Sequence, residues 1–340
     1  MNYSEKSSIV PSTRPKKALI TGVSGQDGSY LAEFLSAKGY NVYGVDKSFS
    51  QLPHETKNAI SQLHEIDLTK PVVLKKIILN ILPDEIYHLA AYHFSSQLDG
   101  NSKMSFVPFN AINLVALNVI LETIRDNLKS CRTFYASSSH IFGKVDQYPQ
   151  SEYTPYHPES LYAITKAAGN ELCRFYREYY DVYTSVGILY NHESPRRSLS
   201  FITAQIAEAA AMAKLGLPVK LTVRDLDGIV DWGAAQDYIR AMWLSLQQPH
   251  GDTYIISTGV PVQVRDFAQI AFNHVGLDSN NFIFQDKSTA RKESIPYIGD
   301  SSKLRNECKW SPEISFYALV VEMVEAHVRR LKKQKINLTQ

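Results

Sequence analysis

Apolar residues along the chain fall in short clusters, and the spacing within them alternates between the period of a strand and that of a helix. From position 17 the order is an apolar strand at Ala18–Thr21, a glycine-rich turn, a helix over about Ser29–Lys38 and a second strand at Asn41–Val45. This is a βαβ unit. Further apolar runs at Glu85–Ala90, Arg132–Ala136 and Thr184–Leu189 alternate with helical patterns at Ala111–Arg125 and Leu161–Tyr179. Strands that alternate with helices predict an α/β fold with a doubly wound parallel sheet covered on both faces. After Tyr190 the texture changes: 191–200 is polar and turn-rich, and the remainder mixes helices with short irregular segments. A smaller mixed α/β region is expected there, packed on the sheet so as to leave a cleft at the carboxyl ends of its strands, where open α/β sheets bind ligands.

Composition narrows the partners. In 340 residues, 44% hydrophobic, there is ample apolar material for a core, and 36 Lys and Arg against 34 Asp and Glu leave a net charge of only +2. No polyanion such as nucleic acid and no membrane surface is expected as a partner. Cys131, Cys173 and Cys308 are widely spaced and odd in number, which predicts neither a disulfide framework nor a metal site and favours a reducing, cytoplasmic compartment. The opening residues are polar, without the apolar run of a signal peptide, and no stretch of about 18 continuous apolar residues follows.

Candidate chemistry begins at the glycine turn. Gly22, Gly25 and Gly28, with Gln26 and Asp27 between them, lie directly after one strand and before a helix. Glycine allows backbone to approach a pyrophosphate, and the helix N-terminus offers unpaired N–H donors, so this is a dinucleotide site of the Rossmann type. Asp46 ends the second strand, at the spacing from which a carboxylate holds the adenosine ribose hydroxyls; it favours NAD over NADP, whose 2′-phosphate it repels, although Lys47 offsets part of that repulsion. Asp67 and Leu68, after a third apolar segment, are candidates for the adenine edge. Tyr162 and Lys166 stand four residues apart on one face of a predicted helix. A phenol titrates at about pH 10, and a neighbouring ammonium favours the phenolate, giving a general base. The serines 137–139 at a strand end place hydroxyls for the same substrate oxygen.

These residues carry a resemblance. The chain is similar to extended short-chain dehydrogenases/reductases, and in detail to GDP-mannose 4,6-dehydratases, in Ala18-Leu19-Ile20-Thr21-Gly22 through Gln26-Asp27-Gly28-Ser29-Tyr30-Leu31, in His88-Leu89-Ala90-Ala91, in Gly187-Ile188-Leu189-Tyr190 through Asn191-His192-Glu193-Ser194-Pro195-Arg196-Arg197, in Asp231-Trp232-Gly233 and at Trp310. The Asn-His-Glu-Ser-Pro-Arg-Arg string is its most specific part. The resemblance implies a leader without order over 1–15, a dinucleotide-binding domain over 16–190 plus about 235–262, and a nucleotide-sugar-binding domain over 191–234 plus 263–330. It implies NAD(P) along the glycine turn, Leu89, Ala90, Ala91, Tyr162 and Lys166, and a nucleotide-diphosphate sugar against Tyr92, Ser139, Asn191, Arg197 and Arg291. The implied reaction has three steps: Tyr162 takes the proton of the sugar O4 while C4 gives hydride to the cofactor; a base removes the C5 proton and water leaves C6; hydride returns to C6. Ser138 matches the residue that contacts O4.

Where the dehydratases read Ser-Thr-Ser-Glu-Leu-Tyr-Gly, this chain reads Ser137-Ser138-Ser139-His140-Ile141-Phe142-Gly143. The glutamate that eliminates water is His140, an imidazole that also carries protons near neutrality. Gln205, Val230 and Tyr92-His93 depart from the pattern around the substrate. The segment 46–48 lacks the paired arginines of NADP-using relatives, whose loop helps build a tetramer, so a homodimer is expected ahead of a tetramer. Two alternatives stay open: a nucleotide-sugar 4-epimerase, decarboxylase or 4-dehydrogenase, and a dinucleotide-binding regulatory protein without turnover.

Overall fold

A computed structural model describes residues 14–92, 105–145, 148–286 and 296–337. The chain runs β1 (Lys17–Thr21), α1 (Gln26–Ala37), β2 (Asn41–Asp46), α2 (His54–Asn58), β3 (Gln62–Glu65), α3 (Pro71–Ile81) and β4 (Glu85–His88). Then come α4 (Phe106–Phe109), a wider π-helical turn over Asn110–Val115, α5 (Ala116–Asn127), β5 (Arg132–Ala136), a 3-10 turn over Ser139–Phe142, α6 (Leu161–Tyr180) and β6 (Thr184–Leu189). The remainder is β7 (Asn191–Glu193), α7 (Ile202–Lys214), β8 (Leu221–Val223), β9 (Ile229–Ala234), α8 (Ala235–Ser245), β10 (Thr253–Ile256), β11 (Pro261–Gln263), α9 (Val264–His274), β12 (Ile283–Gln285), α10 (Ser302–Cys308) and α11 (Phe316–Asn337). Of the leader expected over 1–15, only Arg14 and Pro15 are among the described residues, and Arg14 donates to both Asp84 carboxylate oxygens at 2.9 and 2.7 Å.

Seven strands form one parallel sheet in the order β10-β6-β5-β4-β1-β2-β3, the doubly wound α/β arrangement read from the sequence. Every residue of β6 is buried, which is why its sequence is apolar without alternation. One face is covered by α1, α8 and α10, with Leu31, Leu35, Met242 and Trp310 in a single apolar cluster; the other by α3, α5 and α6, with Leu74, Ile78, Leu117, Ile120 and Cys173. Strand order reverses about β1 and β4, so the connections that leave their carboxyl ends diverge to opposite faces and open a crevice.

A second apolar core gathers α7, α9 and α11 over β9, with Ala207, Trp232, Phe267, Val320 and Met323 buried within it. Trp232 and Phe316 stack there with centroids 6.2 Å apart. The small sheet of that region, β11-β9-β7, takes up residues that the sequence pattern reads as turn: Asn191–Glu193 is extended because it pairs in parallel with Trp232–Ala234. That partner is remote in sequence, so no local period announces it. Similarly α1 starts at Gln26 rather than Ser29, because Gly25 takes an extended conformation as its N-cap (φ −71°, ψ 171°).

Phe106–Asn127 is one continuous rod, long and apolar enough by composition to cross a membrane, with 44% of its most apolar stretch buried inside the protein. Its inner side packs Leu117, Ile120, Leu121 and Ile124 against the sheet. The π-turn within it re-aims Asn113, whose buried carboxamide accepts from the Tyr92 N–H at 2.8 Å and donates to Thr165 Oγ1 at 2.9 Å. It thereby joins the segment after β4 to α6, a use of the extra turn residue that is common near functional sites.

Candidate active site

The crevice is lined first by the glycine turn. Gly22 has φ +76°, and a Cβ there would lie 2.8 Å from the Ala90 backbone; a Cβ on Gly28 would lie 2.2 Å from Gly22 O and 2.6 Å from the Val23 Cα. These hydrogens-only positions let β1, the segment after β4 and α1 converge, and they leave the first-turn N–H groups of α1 facing open space. A Gly28→Ala exchange is expected to force backbone apart, lowering stability by about 1–3 kcal/mol and weakening dinucleotide binding, both measurable by thermal melting with and without NAD.

Leu89 and Ala90 border the same crevice: Leu89 N donates to Thr21 O at 3.2 Å and Ala90 N to Thr21 Oγ1 at 3.3 Å. Thr21 Oγ1 also lies 2.8 Å from His88 Nδ1, and desolvation holds that fully buried imidazole neutral, its pKa lowered to about 3. Ala91 and Tyr92 continue outward and are exposed, the Tyr92 ring standing edge-on to Phe109 at 4.9 Å. Asp46 sits at the mouth, its carboxylate accepting from Ser24 N at 2.9 Å and Lys47 N at 2.7 Å. Asp67 is exposed and accepts from Thr69 N at 2.9 Å, a bond that lowers its pKa, while Leu68 turns into the core beneath α3.

Across the crevice, Ser160 caps α6 by accepting from Ala163 N at 3.1 Å, which fixes Tyr162 in the first turn and Lys166 one turn deeper. Lys166 is buried; its Nζ donates to Ala136 O at 2.6 Å and lies 4.9 and 5.7 Å from the Tyr135 and Tyr162 ring centroids. Desolvation lowers the Lys166 pKa to about 7. The same cause raises that of Tyr162 to about 12, against a hydrogen bond from Ser138 and the charge of Arg197. The Lys166 ammonium is engaged by a backbone carbonyl, and loss of solvent is the largest influence on the Tyr162 phenol.

The 3-10 turn after β5 presents the third group. Ser138 and Ser139 are buried, Ser138 Oγ accepting from His140 N at 3.3 Å, and the exposed His140 ring stands edge-on to Tyr162 with centroids 6.1 Å apart. On its other side Tyr297 stacks on His140 at 6.3 Å and 21°, while its hydroxyl donates to Gly143 O. Tyr297 has no signal in the sequence, since only tertiary pairing brings it there. Asn191 opens β7, and Arg197 forms an ion pair with Glu193 (Nε to Oε2, 3.1 Å) while its guanidinium lies 3.5 Å from the Phe201 ring centroid. Arg291 and His93 lie outside the described residues.

Ser138, His140, Tyr162, Lys166, Asn191 and Arg197 thus gather at the end of the sheet where the glycine turn lies, although they come from the turn after β5, from α6, and from β7 and the loop after it. A hydroxyl, a phenol and an imidazole, those of Ser138, Tyr162 and His140, stand as neighbours on the side of the sheet where the glycine turn lies.

Known proteins place this arrangement. Two solved structures share the fold at low identity: UDP-glucose 4-epimerase of Thermotoga maritima with UDP-glucose (TM-score 0.80, 22% identical, covering 93% of this chain and 99% of that one) and dTDP-glucose 4,6-dehydratase of Bacillus anthracis with NAD (TM-score 0.79, 18% identical, 93% and 98%). GDP-mannose 4,6 dehydratase 1 of Arabidopsis thaliana is 37% identical over 343 residues, 95% of this chain and 93% of its own length. The family model for GDP-mannose 4,6 dehydratase matches residues 19–323. With nearly the whole chain aligned on both counts, this protein belongs to the GDP-mannose 4,6-dehydratase family.

Proposed function

We propose that the protein is a nucleotide-sugar 4,6-dehydratase that uses NAD. The observation that carries this reading is the convergence of Ser138, Tyr162 and His140 beside a glycine cradle in a chain of this family. The cradle residues Gly22, Gly25, Gln26 and Gly28, with Asp46 at the ribose end and Leu89 to Ala91 along the other side, would hold the dinucleotide, and the Asp46 carboxylate disfavours a 2′-phosphate. The dinucleotide, when bound, would supply the hydride acceptor and donor.

Ser138 and Tyr162 then hold the sugar O4, and Tyr162 removes its proton as C4 is oxidised. The 4-ketone acidifies the C5 hydrogen. His140, at the same edge, takes that proton and delivers it to the departing C6 hydroxyl, so that water leaves; the hydride would then return to C6 while C5 regains a proton from the Tyr162 phenol, and the cofactor would end as it began. Tyr92, Ser139, Asn191, Arg197 and Arg291 are assigned to the sugar diphosphate, and the relatives' name makes GDP-mannose the first candidate. The imidazole in place of a carboxylate sustains one rival, a 4-epimerase, decarboxylase or 4-dehydrogenase. Purified protein incubated with GDP-mannose and a panel of other nucleotide hexoses is expected to yield a product lighter by one water with no net change in cofactor. Unchanged mass with an epimerised sugar, loss of carbon dioxide, or stoichiometric cofactor reduction would establish the rival instead.

We further infer a homodimer built on α6, where Ile164, Ala168, Leu172, Phe175 and Tyr179 form one surface stripe beside a shallow apolar groove of about 370 Å³ that Leu114 and Val115 also line. The buried free thiols Cys131, Cys173 and Cys308 suit a cytoplasmic setting.

A further inference from the structure

Asp27 and His192 meet across the crevice from the first turn of α1 and the middle of β7. His192 Nε2 lies 2.9 Å from Asp27 Oδ2, and Nδ1 lies 2.8 Å from the Tyr190 carbonyl oxygen. A carbonyl offers only lone pairs, and so does an ionised carboxylate. Both ring nitrogens must therefore donate, which an imidazole does only as the cation. Tyr238, on α8, stacks on the ring at 4.6 Å and holds its plane. Gln26 Nε2 donates to Asp27 Oδ1 at 3.2 Å and to the His192 carbonyl at 3.0 Å, and Gln26 Oε1 accepts from Ser194 Oγ at 2.7 Å. One turn further on, Arg196 bonds Ser29 Oγ at 3.0 Å and Glu33 at 2.8 Å. The segment that follows β6 is riveted to α1 along two turns, and His192 in this seam faces acceptors on both sides.

We propose that His192, as an imidazolium, is a positioning residue: it fixes Asp27, and with it the pyrophosphate-binding first turn of α1, against the strand and loop that carry Asn191 and Arg197. This rests on the assignment of the glycine turn to the dinucleotide. The bridge couples cofactor and sugar subsites, since one element cannot shift without the other. The charged groups that face His192 are Asp27 from α1 and Arg197 from its own loop, the latter already paired with Glu193. Desolvation lowers the His192 pKa and Arg197 adds to that, but the Asp27 carboxylate outweighs both and leaves it raised; on Asp27 desolvation raises the pKa and His192 reverses it. With the histidine value raised and that of Asp27 lowered, the bridge is complete between the two and is lost as pH rises through the histidine value, when one acceptor loses its donor.

The experiment follows the full-length protein, labelled with ¹⁵N-histidine, by NMR from about pH 6 to 9.5, alongside calorimetric titration with NAD. Expected are a doubly protonated His192 at about pH 6, and NAD binding that weakens about tenfold as that ring titrates. His192→Gln and Asp27→Asn should each bind about tenfold more weakly at about pH 6 with the pH slope flattened, and the double variant no more weakly than either. A neutral His192 tautomer at about pH 6, losses that add in the double variant, or an unchanged slope in His192→Gln overturns the proposal. Should His192→Gln fail to fold, the wild-type titration of ring and affinity decides alone. Wild-type protein that binds no NAD at any pH overturns the cofactor assignment and the positioning role built on it, an outcome distinct from bound NAD without pH dependence, which overturns the positioning role only.

Discussion

Tyr162→Phe is expected to abolish turnover of the nucleotide sugar, by about 10²–10⁴-fold or more, while NAD still binds. The exchange removes one oxygen and keeps a ring that lies 6.1 Å from His140 and 5.7 Å from the Lys166 ammonium, so packing and the cofactor crevice persist. What disappears is the group proposed to take the O4 proton. Ser138, proposed to meet the same oxygen, remains, yet a serine hydroxyl has no basicity to offer near neutrality. Calorimetric binding of NAD together with a mass assay for the dehydrated sugar separates the two effects. A Phe variant that still converts sugar would remove Tyr162 from the chemistry.

Exchanges at His140 are expected to divide the reaction. His140→Ala should stop it at the ketone, with water loss slowed by about 10²–10⁴-fold while solvent deuterium no longer enters C5. His140→Glu restores the family's carboxylate on the same 3-10 turn, beneath the same Tyr297 ring, and is expected to keep elimination. Its pH profile should differ in a defined direction. Free imidazole titrates at about 6.5 and a glutamate at about 4.3, so where the group acts as base the acid-side decline in rate should move to lower pH in the Glu variant. Identical profiles in wild type and Glu variant, or full elimination by the Ala variant, would assign the C5 proton to another residue.

The main sheet was legible because parallel strands buried on both faces leave short apolar runs that nothing else explains, and β1, β5 and β6 lie where those runs are. The glycine turn was legible for a related reason: a residue without a side chain is required where α1 meets the backbone of β1, and no other residue type fits. What stayed hidden depends on pairing across long sequence separations. Asn191–Glu193 reads as a turn until β9 is beside it, and Tyr297 and His192 gain their places only when distant segments close on them. The partner of Lys166 stayed hidden too, because spacing reports that a lysine is near but not that its ammonium serves Ala136 O.

β6 ends at Leu189 and β7 begins at Asn191, with only the buried Tyr190 between them, its N–H bonded to Ile256 O and its hydroxyl to Gln150 at 2.8 Å. A strand that passes from one sheet into the next without slack is a poor hinge. The segment that carries Asn191 and the sheet that carries the glycine turn are therefore parts of one stiff frame at this crossing, which leaves little room for a swing of one lobe against the other. On the proposed reading a multistep reaction would gain from that stiffness, because the side chains that hold the sugar would keep their places from one step to the next.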